Sequence, residues 1–396
     1  MSLILTGPQV YAEQSVLPHT AVVMSEGLIQ AITAATQVKN TIADEVHYFP
    51  ENYHLVAGFI DLHVHGVNGQ DVMDATPEAL GGISKALAAE GTTGFLAATM
   101  TAKTQEIENA LVAVRDFMDA KHAVKGAAIL GVHLEGPFIS PKRVGAQRAD
   151  QILVPDILMF ERWQQVTANV IKLVTLAPEL SNSVGFIRYL KEKGIIAALG
   201  HTDATYAETV TAIAEGLSYA THVFNAMRGI HQREPGAVMA ALLSEQVLTE
   251  LIVDGVHLHP AIVQFILKLK TKEKMILVTD AMRAKCLGDG VYDLGGQDVA
   301  VKDGVATLPD GTLAGSTLKM SVAIQNMLRF TQCSLWDVLK MASENPAKAL
   351  GIFHKKGSIS VGKDADVVVL DEKFNVVMTL CSGEVVYHKK TAPLAI

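Results

Sequence analysis

The sequence predicts an α/β protein, a TIM-like (β/α)8 barrel carrying a small β-sandwich built from both chain ends. Three observations lead there. Eight short, continuously apolar β-rich runs recur at regular intervals, separated by stretches of helical composition. Polar residues gather where those runs finish. The first fifty-odd residues and the last forty share a different texture, of short alternating pieces.

The N-terminal pieces are SLILTG, HTAVVMSEGLIQAIT and VHYFP, which read as antiparallel hairpins. The eight runs follow at 55–65, 92–100, 127–135, 171–179, 195–203, 219–227, 249–257 and 274–282. Strands covered by helices on one side and filled on the other are apolar along their length instead of alternating. Between them, segments such as EALGGISKALAAEG and ETVTAIAEG are long enough for crossover helices. A doubly wound sheet is the competing arrangement, but no glycine-rich phosphate turn follows the first run. Residues 290–311 read as hairpins over the barrel mouth, and SVAIQNMLRF and SLWDVLKMASENPAKALG as helices that close the ring. Hairpin texture returns in 357–390. The expected division is therefore residues 1–54 plus 357–396 as the sandwich and 55–356 as the barrel.

A chain of 396 residues, 49% of them apolar, has enough material for so large a core. Its net charge of −8 argues against a general nucleic-acid surface, so any anion site must be local. Cys286, Cys333 and Cys381 are far apart and form no CxxC pattern, which suits ordinary thiols in a reducing compartment. The opening MSLILTGPQVYAEQ has no basic segment followed by a long apolar run, and no stretch reaches the ~18–20 apolar residues of a membrane span. A cytoplasmic protein without membrane or nucleic-acid partners is expected.

His63 and His65 end the first run, Glu135 the third, and Asp280 the eighth; His201 follows the fifth and His222 lies in the sixth. In a barrel of this kind the strand ends converge on one mouth, where chemistry sits. Two residues apart on an extended strand, His63 and His65 project to the same side. Imidazoles with carboxylates suit Zn²⁺, Fe²⁺ or Mn²⁺ and are too nitrogen-rich for Ca²⁺ or Mg²⁺. Taken singly, each motif has an ordinary explanation: HTDA, for example, offers Thr202 or Asp203 as a helix N-cap. Together, at five strand ends, they point to a metal centre. His19, His47, His54, His122, His354 and His388 read as surface or packing residues, and His259, before Pro260, as a turn residue.

With GFIDLHVHG, HLEGPFISPKRVGAQ, LGHTDA, THVFNAM, REPG, DGVH, VTDAM, LAGS and GSISVGKDADVVVLD in view, the chain resembles the amidohydrolase superfamily. More narrowly, it resembles the branch that deacetylates N-acetylglucosamine 6-phosphate. The resemblance implies that Glu135, His201 and His222 hold the principal metal. With His63 and His65 both present, it also implies a second ion, bridged by Glu135. Single-metal members place a histidine where this chain has Gln147. Asp280 is the implied general base and acid as well as a metal ligand, with water activated by the metal as nucleophile. For the phosphate end, Lys142 and Arg143 are candidate cations on the loop after Glu135, since guanidinium and ammonium groups suit a phosphate dianion. Gln147 is a further candidate for substrate binding. Arg233, His257 and the backbone N–H groups of Asn225 and Ala226 are implied phosphate contacts. Arg233 is expected to cross into a neighbouring subunit of a homodimer. A different amidohydrolase, such as an amino-acid deacylase, and a silent scaffold are the alternative readings; HLEGPF, FNAM and REPG weigh against the first and the full ligand set against the second.

Overall fold

A computed structural model of the chain describes residues 2–40, 43–120 and 125–389. His122 and the tail 390–396 of the expected sandwich segment lie outside those residues.

Eight parallel strands form one sheet in sequence order. They are β1 (Phe59–Val64), β2 (Thr92–Thr99), β3 (Ala128–Glu135), β4 (Ile171–Leu176), β5 (Ile196–Leu199), β6 (Tyr219–Ala220), β7 (Leu248–Leu251) and β8 (Met275–Leu277). A parallel bridge between Val64 and Ala281 closes the ring, helped by the Asp280 N–H on the His63 carbonyl and the His65 N–H on the Ala281 carbonyl, both 2.9 Å. The crossovers include helices α1 (Pro77–Ala88), α2 (Thr104–Asp119), α3 (Ile157–Val166), α4 (Ser183–Glu192), α5 (Tyr206–Glu215), α6 (Gly236–Leu243) and α7 (Pro260–Leu269); α8 (Met320–Phe330) follows β8. Large side chains such as Phe95, Trp163 and Phe186 are fully buried in the main core.

Two sequence expectations, the first strand and His259, need correction, and the ordinary explanation of HTDA as a helix cap does not hold. The apolar run 55–65 is two strands. His54–Ala57 pairs antiparallel with Val367–Leu370 in a six-stranded sheet that joins both chain ends, and β1 begins only after Gly58. The α5 cap is neither Thr202 nor Asp203 but Thr205, whose hydroxyl accepts the Glu208 N–H while Glu208 accepts the Thr205 N–H. That reciprocal pair satisfies two otherwise orphaned donors, and it leaves Asp203 available elsewhere. His259 is a helix cap, its Nδ1 accepting the Ala261 N–H at 3.2 Å at the start of α7.

A four-stranded sheet (Leu28–Ala34, Thr20–Ser25, Ser2–Thr6, Glu45–Tyr48) faces the six-stranded one, and Leu5, Met24, Val10, Leu55, Val369 and Leu380 interdigitate between them. Gly290–Leu294, Gln297–Lys302 and Val305–Thr307 make the antiparallel sheet expected over the mouth. It is seated by its own apolar cluster with Met100 and Met282. Cys286, Cys333 and Cys381 are free thiols. No helix among the described residues is long and apolar enough to cross a membrane.

Several strands are shorter than their apolar runs because the ladder stops where the chemistry begins. His201, His222 and Asp280 carry φ of +46°, +29° and +50°. Non-glycine residues seldom adopt such angles, and they concentrate at functional sites where surrounding structure enforces them.

Candidate metal centre

The six strand-end residues meet. His63, His65, Glu135, His201, His222 and Asp280 are each no more than 8% exposed. They form two groups, Glu135–His201–His222 and His63–His65–Asp280, with ligand atoms close enough to share an ion in each. Glu135 lies between them. Its Oε1 is 3.0 Å from His222 Nε2 and 3.2 Å from His201 Nε2, while Oε2 is 3.2 Å from His65 Nε2. Asp280 Oδ1 stands 3.3 Å from His65 Nε2 and 3.5 Å from His63 Nε2.

Local sequence fixes Glu135 in place. β3 pairs with β4 so that Glu135 lies opposite Thr175 at the top of the ladder. Gly136 then leaves the barrel with φ +77°, and a Cβ there would fall 2.0 Å from Thr101 Oγ1. Only glycine meets both demands.

The donor set fits a divalent ion. His63 Nδ1 faces the Glu250 carboxylate at 3.2 Å, and His201 Nδ1 faces the Arg143 and Val144 carbonyls at 3.1 Å. Acceptors on that side place the ring proton on Nδ1 and leave a lone pair on each Nε2. The Nε2 atoms of all four rings converge: those of His63 and His65 are 3.2 Å apart, as are those of His201 and His222. Converging nitrogens and carboxylate oxygens suit a divalent cation between them. The electrostatics of the six residues agree. Burial disfavours charge on His65, yet Asp280 and Glu135 raise its pKa to about 9. Burial works against the charged forms of Glu135 and Asp280 too, but the imidazoles hold both well below the carboxylate range.

A cleft of about 420 Å³ opens over this floor. Its two walls differ. Lys142, Arg143, Asn225, Ala226 and His257 line it from the loops after β3, β6 and β7, whereas Met100, Leu294 and Leu313 line it from β2 and the segments after β8. Gln147 lies within the floor, donating to Glu135 Oε2 at 2.6 Å and accepting the Thr101 N–H at 2.7 Å.

On the polar wall, Asp203 accepts from Arg228 at 2.6 Å and from Arg143 at 2.9 Å, and together they draw its pKa down to about 2. Lys142 is 3.8 Å from the same carboxylate, with its side chain 75% exposed. His257 Nδ1 is held by Asp254 at 2.6 Å. The Asn225 N–H is engaged by the His222 carbonyl at 3.0 Å, whereas the Ala226 N–H has no such partner among the described residues. Arg233 is exposed and lines no part of its own chain's cleft.

Sequence reasoning overlooked His133, Glu250, Glu179 and Arg228. His133 shares a possible ligand cluster with His63 and Glu250, but both its ring nitrogens are occupied, by the Leu62 carbonyl at 3.1 Å and Thr175 Oγ1 at 2.7 Å. Burial, with His63 alongside, holds its pKa well below the usual imidazole range. Glu179 braces the HTDA turn through Thr202 Oγ1 at 2.5 Å and the Asp203 N–H at 2.7 Å. The strand position of His133 inside HLEGPF was the available signal, since an interior-facing polar residue two before a ligand must itself be satisfied.

A parallel barrel whose C-terminal mouth gathers four imidazoles and two carboxylates defines a metal-dependent barrel hydrolase. The profile of the Amidohydrolase family matches residues 54–386, and the chain belongs to that family. It is 44% identical to N-acetylglucosamine-6-phosphate deacetylase of Bacillus subtilis over 99% of this chain and 98% of the relative. The crystal structure of N-acetylglucosamine-6-phosphate deacetylase from Pasteurella multocida superposes with a TM-score of 0.90 at 32% identity, covering 97% of this chain and 99% of that one. A mutant of the Mycobacterium smegmatis N-acetyl-D-glucosamine-6-phosphate deacetylase, solved in complex with N-acetyl-D-glucosamine-6-phosphate, gives the same TM-score, identity and coverage.

Proposed function

We propose that the chain hydrolyses the acetamide of N-acetylglucosamine 6-phosphate, releasing acetate and glucosamine 6-phosphate. The observation that carries this is the division of the cleft. A floor suited to divalent ions is bordered by the basic side chains of the loop after β3 and by apolar side chains from β2 and the segments after β8. A substrate with an amide at its centre, a phosphate at one end and a short acyl group at the other fits that division.

Glu135, His201 and His222 would hold one ion and His63, His65 and Asp280 a second, with Glu135 shared; Zn²⁺, Fe²⁺ and Mn²⁺ all suit the nitrogen-rich set. A divalent ion held there would supply Lewis acidity for the amide carbonyl and bring the pKa of water near neutrality. Asp280, at the edge of floor and cleft, accepts the proton of the attacking water. The same carboxyl then delivers it to the departing sugar nitrogen, which leaves poorly unless protonated. On the basic wall, Lys142, His257 and the Ala226 N–H meet the phosphate, while Arg143, tied to Asp203, holds the loop that carries Lys142. Arg233 joins them from a second copy in a homodimer. Gln147 fixes the orientation of Glu135 and borders the carbonyl.

The test is acetate release from N-acetylglucosamine 6-phosphate beside unphosphorylated N-acetylglucosamine, with metal-replete protein. Strong preference for the phosphorylated sugar is expected. Equal rates would remove the phosphate wall from this account, and no acetate from either would overturn the activity.

A further inference from the structure

We infer that Glu250 is a positioning residue that ties the two halves of the metal centre together. It sits on β7, fully buried, and does not line the cleft. One oxygen, Oε2, accepts from two places: His63 Nδ1 at 3.2 Å and the His222 backbone N–H at 3.0 Å. His63 belongs to one triad and His222 to the other.

Each contact has a distinct consequence. His63 can present its Nε2 lone pair to the centre only if Nδ1 keeps the proton, and a carboxylate facing Nδ1 secures that tautomer and makes the ring a stronger donor. His222 is held with φ at +29°, outside the comfortable range for a residue with a Cβ. Its N–H has left the strand ladder there, and Glu250 supplies the acceptor. The Glu250 carbonyl takes the next N–H, that of Val223, at 3.1 Å, so side chain and backbone pin the same turn.

No other side chain among the described residues bonds the outer nitrogen of any of the four imidazoles. His201 Nδ1 rests on backbone carbonyls, and His65 Nδ1 and His222 Nδ1 have no hydrogen-bond partner. Glu250 Oε1 is likewise buried without a hydrogen bond of good geometry, and its neighbour is a neutral group, the buried Tyr219 hydroxyl, whose pKa burial and the Glu250 charge push well up. A fully buried carboxylate with one free oxygen is costly unless positive charge stands close by. A divalent ion held by His63 would supply that charge, which the neutral Tyr219 hydroxyl does not. This rests on the metal-dependent reading above.

The experiment is calorimetric titration of the metal-stripped full chain with Zn²⁺, with bound metal counted by mass spectrometry. Glu250→Gln keeps an oxygen for both N–H groups and loses only the charge. Glu250→Leu loses both contacts. Expected are two ions in the parent, affinity about 10-fold weaker in Glu250→Gln, and about 100-fold weaker at both triads in Glu250→Leu, the range that outer-sphere partners of metal-bound histidine command. Parent-like affinity and stoichiometry in both variants would overturn the inference while leaving the metal-dependent reading intact. A parent chain that binds no Zn²⁺ would overturn both. A second measurement needs no variant. In the metal-loaded parent with ¹⁵N-labelled histidine, His63 should show a slowly exchanging, downfield Nδ1 proton. Its absence would equally overturn the assignment.

Discussion

Gln147 donates to Glu135 Oε2 at 2.6 Å from a side chain whose other end accepts the Thr101 N–H at 2.7 Å, so the carboxylate that lies between the two triads is braced from the rim of β2. Gln147→Leu removes the brace at nearly constant volume and leaves a buried N–H without an acceptor. We expect kcat to fall about 10- to 100-fold, the usual cost of losing a partner that orients a metal-binding group. Steady-state acetate release checks it, and an unchanged kcat would show that Glu135 needs no such support.

Lys142 and Arg143 are neighbours in sequence but not in role. The Arg143 guanidinium is committed to Asp203, and its carbonyl faces His201 Nδ1, whereas Lys142 extends into solvent at the mouth. Lys142→Ala should raise KM for the phosphorylated sugar about 10-fold with kcat unchanged, the scale of one charge-assisted hydrogen bond. The effect should shrink in ~0.5 M salt, where exposed charges are screened. Arg143→Ala should disturb KM and kcat together, because it loosens the loop that seats His201. KM and kcat measured at two ionic strengths separate the two.

The apolar wall sets what acyl group can enter. Leu294 is seated in the hairpin core, but Leu313 is only partly buried and can be trimmed without emptying that core. Leu313→Ala is expected to raise kcat/KM for an N-propionyl substrate relative to N-acetyl about 10-fold, since one methylene in a fitted apolar pocket is worth that much. An unaltered ratio would place the acyl group elsewhere in the cleft.

Much of this molecule was legible in its sequence because barrel strands are apolar throughout and their polar termini converge by topology alone. His63, Glu135 and Asp280 declared themselves by ending such runs. Glu250 did not. It lies inside TELIVDGVH, where one acidic residue looks like the exposed position of a half-buried strand, and only the closed ring brings it to His63. The role of Asp203 was not legible because capping is a local rule, and its partners Arg143 and Arg228 are 60 and 25 positions away. The break at Gly58 was hidden for the opposite reason. Both flanking strands are buried, so apolarity alone runs straight through the joint.

Stripping metal should destabilise the fold as well as stop the reaction. Without a cation, carboxylates and inward lone pairs are left to neutralise one another through shared protons, a poorer arrangement than coordination. A ligand held at 1,000 times its dissociation constant adds about 4 kcal/mol. For a chain of 396 residues that corresponds to a fall in Tm of about 5 °C on chelation. Calorimetric scans with and without chelator, followed by Zn²⁺ add-back, test it. An unchanged Tm would mean that the six residues are held by packing alone.

Arg233 offers the sharpest test of assembly, because it is exposed and lines no part of its own cleft. If a second copy supplies it, Arg233→Ala damages the neighbour's phosphate wall and spares its own. Asp280→Asn does the reverse, removing the proton carrier from its own cleft and leaving its Arg233 free to serve the neighbour. Each variant alone should be nearly inactive, the second by about 10²–10⁴-fold, as is usual for loss of a general base. Mixed at equal amounts under conditions of subunit exchange, half of the dimers are hybrids. Each hybrid holds one intact cleft, that of the Arg233→Ala chain facing the Asp280→Asn chain, so activity should recover to about a quarter of the parent level in a symmetric dimer. Recovery with time after mixing, read by acetate release, would place Arg233 across the interface. Activity fixed at the average of the two variants, with exchange confirmed by a tagged chain, would return Arg233 to an ordinary surface role.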